Sequence, residues 1–307
     1  MSPRDLLPST RLIRLLEMGE LALDLGDVTL RAITYGSSDA PLAICLHGFP
    51  DSAHTFRHLA PHLADRGYHV VVPFLRGYAP SSLSKSDNYQ LVAVANDALM
   101  LHDRLGGDER ALLVGHDWGA AATYVATSAE PSRWRHAVTM AVPPMMLFAE
   151  ALSTFDQLRM SWYVFYFQNP FAEIVIELRD LEFLERLWRT WSPNYAPEED
   201  MDHLREALGE RDHLRAALGY YRAMFDARPL LDASLQHIAD AAFAPSRVPT
   251  LYLHGAEDGC FAPIDAAKVL GALAPDSKYD VIRDVGHFLH LEQPGAVHRA
   301  LDAFLDN

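Results

Sequence analysis

Cysteine is nearly absent: Cys45 and Cys260 are the only two in 307 residues. They leave no disulfide framework and no cysteine-built metal site, and Cys45, inside an apolar run, reads as a core residue. Positive charge is scarce as well. Lys and Arg number 26 against 41 Asp and Glu, a formal net charge of -15. That argues against nucleic acid or an anionic membrane surface as partner, and it disfavours highly anionic substrates. Long hydrophobic runs are missing. The longest, from Ala137 to Ala149, is too short to cross a bilayer and is broken by Pro143-Pro144, so no membrane span is expected. Residues Met1 to Thr10 carry no apolar signal region, and the last three residues form no targeting tripeptide, so the expected location is cytoplasmic. Internal repeats and low-complexity linkers are lacking too. What is left is a chain half hydrophobic in composition, with enough apolar surface for one large α/β domain or two small ones.

The patterning that is present alternates between strand and helix. Pro41–Leu46, His69–Pro73, Ala111–Val114, Ala137–Val142 and Val248–His254 are short, mostly apolar runs, continuous runs suit strands buried on both faces, and Lys278–Ile282 reads as the last strand. Leu21–Leu25 and Val28–Ile33 flank Gly26-Asp27 and read as a hairpin at a sheet edge. Helical spacing marks Phe56–Leu63, Leu91–Leu105, Ala266–Leu273 and most of Phe288–Phe304. This order predicts a mostly parallel sheet with helices on both faces. Between residues 145 and 244 the strand pattern stops. Aromatic and aliphatic residues at helical spacing take over, from Phe171, Ile174 and Leu178 to Trp188 and Trp191. They predict an inserted α-helical lid with most of these side chains as its core. The remaining core is then 21–144 with 245–307, and residues 1–20 read as an arm or short leading helix.

One stretch stands out. Val114-Gly-His-Asp-Trp-Gly-Ala120 follows an apolar run and precedes the small residues Ala121 to Ala126. This is the setting of a nucleophile elbow, a sharp strand-to-helix turn that lifts one side chain above the sheet. Asp117 occupies the position where Ser is usual. The bland reading is a tight turn with a helix-capping Asp. Two further loops weigh against it, because Asp258 and His287 each follow a strand of the same sheet, and the order nucleophile, acid, histidine is that of α/β-hydrolase triads. The carboxyl ends of parallel strands line the binding crevice of such sheets. Glu257 is a competing acid.

The motifs His47-Gly-Phe-Pro50, Arg76-Gly-Tyr78 with Ser81, Gly115-His-Asp-Trp-Gly-Ala120, Trp162-Tyr163 with Phe167-Gln168, Tyr220-Tyr221-Arg222 and Gly286-His-Phe288 together resemble the α/β-hydrolase fold epoxide hydrolases. The resemblance runs from about residue 21 to the end, and Ala79 departs from the Gly more common there. It implies Asp117 as nucleophile, Asp258 and His287 as the water-activating pair, and Tyr163 and Tyr221 as hydrogen-bond donors to the epoxide oxygen, with Tyr220 a competitor for Tyr221. Phe49 and Trp118 would supply oxyanion-hole N–H groups, and Phe49, Trp118, Tyr163, Tyr221 and Phe167 would contact substrate. Trp162, Phe165 and Met145-Met146 would add to an apolar pocket. Pro50 suits a cis bond or a trans turn equally. No cofactor and no metal are implied. The partners are a small apolar epoxide and water, and a homo-oligomer is compatible with the sequence.

The chemistry is consistent with these residue types. A carboxylate with pKa about 3.9 is ionised at neutral pH and needs no base to attack carbon. Water does need one, which gives His287 its place. Haloalkane and fluoroacetate dehalogenases share the Asp-His-acid apparatus and form the alternative reading. A halide leaves as a stable anion, whereas a ring-opened epoxide leaves as an alkoxide that requires a proton, so the two tyrosines favour epoxides. Phe49 points the same way, since many dehalogenases carry Asn there. An inactive ligand carrier fits poorly because the catalytic set is complete, and Asp at the elbow disfavours a serine esterase.

Overall fold

The computed structural model describes residues 18–226 and 230–306. Eight strands form one sheet: β1 (Met18–Asp24), β2 (Thr29–Tyr35), β3 (Leu42–Leu46), β4 (His69–Pro73), β5 (Ala111–His116), β6 (Trp134–Met140), β7 (Thr250–Gly255) and β8 (Lys278–Ile282). Their order is β1-β2-β4-β3-β5-β6-β7-β8. β1 and β2 are an antiparallel hairpin, β2 pairs antiparallel with β4, and all remaining pairs are parallel. β1 starts at Met18, so the last three residues of the expected arm are strand; residues 1–17 lie outside the described residues.

Every residue of β3, β5 and β7 is buried, and alternation sends successive side chains to opposite faces. Ile44, Leu46, Val71 and Leu113 point to one side, where they join α2 (Leu91–Arg104) and α3 (Trp118–Ala129). Ala43, Cys45, Val70, Val72, Leu112 and Val114 point to the other, against α1 (Leu59–Asp65) and, near the C-terminus, Val297, Leu301 and Phe304. Each such large apolar side chain contributes about 1.5–3 kcal/mol by leaving water. Two expected helices are each split in two, one of them at a proline. A 3₁₀ turn, Ala53–Phe56, precedes α1, and Pro61 falls in the first turn of α1, where its missing N–H removes no bond.

Between β6 and β7 lie α4 (Met145–Ala151), α5 (Phe155–Met160), α6 (Trp162–Tyr166), α7 (Phe171–Glu177), α8 (Glu182–Trp191), α9 (Glu198–Leu208), α10 (Arg211–Met224) and α11 (Gln236–Ala241). After β7 come α12 (Ala266–Gly271) and, past β8, α13 (Leu289–Glu292) and α14 (Pro294–Leu305), separated at Gln293 because the residue before proline avoids helical dihedrals. The core of the insert differs from expectation. Phe171, Ile174 and Leu178 are exposed, since the short α7 turns only Ala172 and Ile176 inward. Trp188 and Trp191 are buried with other insert residues, Trp191 on Tyr163 at 4.9 Å, and they also reach the sheet-side loops: Trp188 stacks on Phe288 at 3.4 Å and Trp191 meets His287 edge-on at 5.2 Å.

A buried ion pair ties the loop after β4 to its surroundings. Arg76 donates to both oxygens of Asp97 at 2.7 Å, to the Asn88 carbonyl at 2.6 Å and to Asp27 at 3.1 Å. Its own carbonyl accepts from the Tyr220 hydroxyl of α10 at 2.8 Å. Arg76→Met would leave the Asp97 carboxyl buried without its cation. We expect a loss of about 3–5 kcal/mol of unfolding free energy in urea denaturation; a loss below about 1 kcal/mol would show that the pair is not structural.

Candidate active site

The strand order reverses at β3, with β4 on one side and β5 on the other, and there the loops after β3 and β5 splay apart to form a crevice. Asp117 heads the turn after β5 with φ 52° and ψ -118°. For a non-glycine residue such a backbone costs on the order of 1–3 kcal/mol and persists only where its surroundings enforce it. The enforcement is close packing. A Cβ on Gly119 would come within 1.9 Å of the Leu46 carbonyl oxygen, and one on Gly48 within 2.3 Å of the Asp117 carboxyl. Asp117 makes no side-chain cap to α3, so the bland capping role is set aside. Its Oδ1 instead accepts from the Phe49 N–H at 2.8 Å. The Phe49-Pro50 bond is cis, as is Ala79-Pro80. His47, between this loop and the loop after β4, has Nδ1 2.9 Å from the Gly48 carbonyl, while its Nε2 accepts from the Leu75 N–H at 3.0 Å.

His287, from the loop after β8, donates through Nδ1 to Asp258 Oδ2 at 2.9 Å and turns Nε2 toward Asp117 Oδ2 at 3.6 Å, beyond hydrogen-bond length. Asp258 is locked by two backbone donors, Cys260 N–H at 2.7 Å and Phe261 N–H at 3.0 Å, both on Oδ1. Glu257 is directed elsewhere and accepts from Asn194 at 2.7 Å. The insert joins the two loops. The Trp191 carbonyl at the end of α8 accepts from both Gly259 N–H at 3.1 Å and His287 N–H at 3.0 Å.

Burial pulls the His287 pKa down, but Asp258 first, then Cys260 and Asp117, outweigh it and raise it well above the ordinary value. For Asp117 burial acts to raise the pKa; the adjacent imidazole and the Phe49 N–H outweigh it, and the carboxyl is held below its usual range. The two shifts have opposite consequences. Asp117 contributes stability above about pH 3.9 that is lost as pH falls through its lowered folded value. His287 contributes stability below about pH 6.5 that is lost as pH rises through its raised folded value.

A cavity of about 650 Å³ opens above these groups. Asp117, Trp118, Tyr163, Tyr221 and Cys260 form its polar end; Met145, Phe148, Leu152, Phe165, Met224 and Phe243 are among its apolar walls. Tyr221 is fully enclosed, its hydroxyl has no hydrogen-bond partner, and burial followed by the Asp117 charge pushes its pKa well up. The Tyr163 pKa is also pushed well up, by burial and then by Cys260, whose Sγ lies 3.1 Å from its hydroxyl. Tyr220 is occupied on the Arg76 carbonyl, which leaves Tyr221 as the tyrosine of that pair facing the carboxylate. Phe167 does not reach the cavity. It packs at 5.1 Å behind Tyr221 and at 5.4 Å against Phe49, whose ring is likewise buried against Tyr221. Trp162 and Met146 point outward and are exposed.

A family model described as alpha/beta hydrolase fold matches residues 41–294. The chain belongs to the α/β-hydrolase fold family. This α/β hydrolase is 29% identical to Epoxide hydrolase A of Mycobacterium tuberculosis, over 93% of its own chain and 97% of that protein. It is 26% identical to Epoxide hydrolase 1 of Caenorhabditis elegans over 92% of its chain and 69% of the relative. Among solved structures, Epoxide Hydrolase A from Mycobacterium thermoresistibile superposes with a TM-score of 0.78 at 25% identity, over 95% and 99% of the two chains. Among the hydrolase's described residues, no helix is long and apolar enough to cross a membrane.

Four polar groups beside the site escaped the sequence reading. Cys260 sits two residues past Asp258 and reaches the cavity. Behind His287, His116 Nε2 donates to the His287 carbonyl at 3.0 Å, since a carbonyl can only accept. Its bare Nδ1 faces Asp51 Oδ2 at 3.8 Å. Burial lowers the His116 pKa to about 3 and raises that of Asp51 well above its ordinary value, favouring the neutral form of each. His290 completes this group, with Nε2 2.6 Å from Thr55 Oγ1. Adjacency of His116 to the elbow was the one signal available.

If the Asp117 charge helps keep the proton on His287, Asp117→Asn should lower the His287 titration midpoint, read from its imidazole resonances by NMR. The pH above which the hydrolase begins to lose stability should fall with it. An unchanged or higher midpoint would separate the two residues electrically.

Proposed function

We propose that the protein is an epoxide hydrolase that converts an epoxide to a vicinal diol through an ester on Asp117, with residues 145–244 as a lid over a core of 21–144 and 245–307. One observation carries this reading: a buried carboxylate backed by an acid-oriented imidazole faces two buried, neutral tyrosine hydroxyls across one apolar cavity. Relatives named as epoxide hydrolases over nearly the whole chain support it.

In the first half-reaction an Asp117 oxygen attacks an epoxide carbon. The ring C–O bond breaks, and the developing alkoxide takes a proton from Tyr163 or Tyr221. Burial keeps both phenols protonated, so they remain donors throughout the neutral range. Ester formation removes the Asp117 charge. That takes away one of the groups that hold the proton on His287; the Nε2 proton passes to the tyrosinate, and the imidazole becomes a base at the step that requires one. His287 then removes a proton from water, and hydroxide attacks the Asp117 carbonyl carbon. The N–H groups of Phe49 and Trp118 steady the oxyanion. Collapse breaks the ester, and the proton left on the Asp117 carboxyl passes to the departing alkoxide, which releases the diol and restores the Asp117 carboxylate beside protonated His287. The apolar walls and about 650 Å³ of space suit aryl or alkyl epoxides. The dehalogenase reading gains nothing from this geometry, because Phe49 offers no side-chain amide and a halide needs no phenolic proton.

His287→Gln should form the ester and fail to hydrolyse it. Incubation with an apolar epoxide should add the full substrate mass to the peptide bearing Asp117, seen by mass spectrometry, and Asp117→Ala should give neither adduct nor diol. Diol carrying solvent ¹⁸O in the first turnover, without an adduct, would make Asp117 a base and not the nucleophile.

Tyr163→Phe and Tyr221→Phe should each slow ring opening by ~10²–10⁴-fold, and together nearly abolish it. Near-normal diol formation by the double variant would remove both from the mechanism. Halide release from 1-haloalkanes or fluoroacetate in place of diol formation would move the assignment to the dehalogenases.

A further inference from the structure

Cys260 has no part in that chemistry, yet it stands inside the site. The Asp258 carboxylate fixes its backbone N–H and the thiol forms part of the cavity wall. One oxygen of Asp117, the sulfur of Cys260 and one ring nitrogen of His287 all lie within 4.8 Å of one another, and all three residues are buried. His287 gives Nδ1–H to Asp258, and its Nε2 is wholly buried with no hydrogen-bond partner.

We propose that Asp117, Cys260 and His287 form a three-ligand site for a thiophilic divalent cation, Zn²⁺ in the first instance, whose binding arrests the enzyme. The donor set, a thiolate, an imidazole and a carboxylate, is the one zinc takes. Two ligands about 2.0 Å from a tetrahedral zinc stand about 3.3 Å apart, close to the 3.6 Å between Asp117 Oδ2 and His287 Nε2. Bringing the sulfur to its bond length of about 2.3 Å needs movement on the order of 1 Å. The fourth position opens on the cavity. Asp258 stands behind His287 as carboxylates stand behind zinc-ligating imidazoles, fixing the tautomer that presents Nε2. On binding, three coordinate bonds form and the Cys260 proton, with any proton on Nε2, passes to water. Mg²⁺ and Ca²⁺ prefer six or more oxygens, and the site offers a single carboxylate. The ion is an inhibitor and not a cofactor: it takes the lone pairs of the proposed nucleophile and base together. Arrest of turnover rests on the epoxide hydrolase reading; binding does not.

The test uses Cd²⁺ as a spectroscopic probe and Zn²⁺ for affinity, on the full chain. Cd²⁺ should produce a thiolate-to-metal absorption band at one ion per chain in the unsubstituted protein and in Cys45→Ala, whose lost thiol lies in β3. The band should vanish in Cys260→Ala. Zn²⁺ affinity, measured against a chromophoric chelator, should fall more than about tenfold in Cys260→Ala and in Asp117→Asn, with circular dichroism showing both variants folded. Mg²⁺ should do nothing. Zn²⁺ should stop diol formation, chelator should restore it, and Cys260→Ala should need more than about tenfold higher Zn²⁺ for the same effect. Equal Zn²⁺ affinity with and without the Cys260 thiol, or a Cd²⁺ band that survives its removal, overturns the site. If no epoxide is turned over, the activity reading fails while the Cd²⁺ and Zn²⁺ binding results still decide the metal site.

Discussion

The placement of the Asp117 carboxylate is the constraint on which the rest depends. Its backbone is held at φ 52° because the β3 loop and the start of α3 approach too closely for any side chain at Gly48 or Gly119. Relaxing that turn would rotate the carboxylate away from the Phe49 N–H and out of line with His287. The strain, on the order of 1–3 kcal/mol, is small against the burial on both faces of β3 and β5, so the sheet can hold it. A residue with a carboxylate raised on a rigid strand end is also fixed in direction, which an in-line attack on carbon requires.

The second requirement is that two loops from different strands meet at that carboxylate. The sheet alone brings them only near. The insert completes the alignment, because the single Trp191 carbonyl accepts N–H groups from both Gly259 and His287, and Ser192 Oγ accepts from the Phe288 N–H at 3.1 Å while donating to Glu292 at 2.7 Å. The Trp188 indole donates to the Pro50 carbonyl at 2.6 Å, so the same helix also reaches the Phe49 loop. The helical insert is therefore structurally coupled to the placement of Asp258 and His287 as well as to the cavity wall. Substitutions on α8 that leave the cavity wall untouched would still displace His287.

Much of the architecture was legible because strand burial leaves a local trace. The runs in β3, β4, β5 and β7 are largely continuous and apolar, β6 and β8 are less so, and each of the three loops bearing Asp117, Asp258 and His287 directly follows a strand. The insert was legible as helix but not in its packing. Helical spacing marks Phe171, Ile174 and Leu178 as an apolar stripe, and nothing in the spacing says whether a neighbour covers it; in the fold none of the three is buried. Trp188 and Trp191 read as insert core, and beyond packing on insert residues they also pack on the loops of the sheet. Cys260, Asp51 and His290 were illegible for a related reason. Each becomes significant only through partners far along the chain, Asp117 and His287 for Cys260, His116 for Asp51 and Thr55 for His290, and a single polar residue in a loop carries no periodicity.

The choice between Tyr220 and Tyr221 shows how a global contact settles a local ambiguity. Adjacent residues on a helix point about 100° apart, so only one of the pair can face the carboxylate. Arg76 decides which. Its guanidinium is committed to Asp97 and Asn88, which fixes the backbone of the loop after β4 and aims the Arg76 carbonyl at α10. Tyr220 satisfies that carbonyl, and the rotation this imposes on α10 delivers Tyr221 to the cavity with its hydroxyl free of protein partners. A buried phenol without a partner is a cost of roughly 1–3 kcal/mol. A substrate oxygen that accepts from it recovers that energy on binding, and recovers more as negative charge grows on the oxygen during ring opening. The Arg76–Asp97 pair thus serves two ends, anchoring the loop in the folded chain and orienting the donor that the proposed reaction needs most in its transition state.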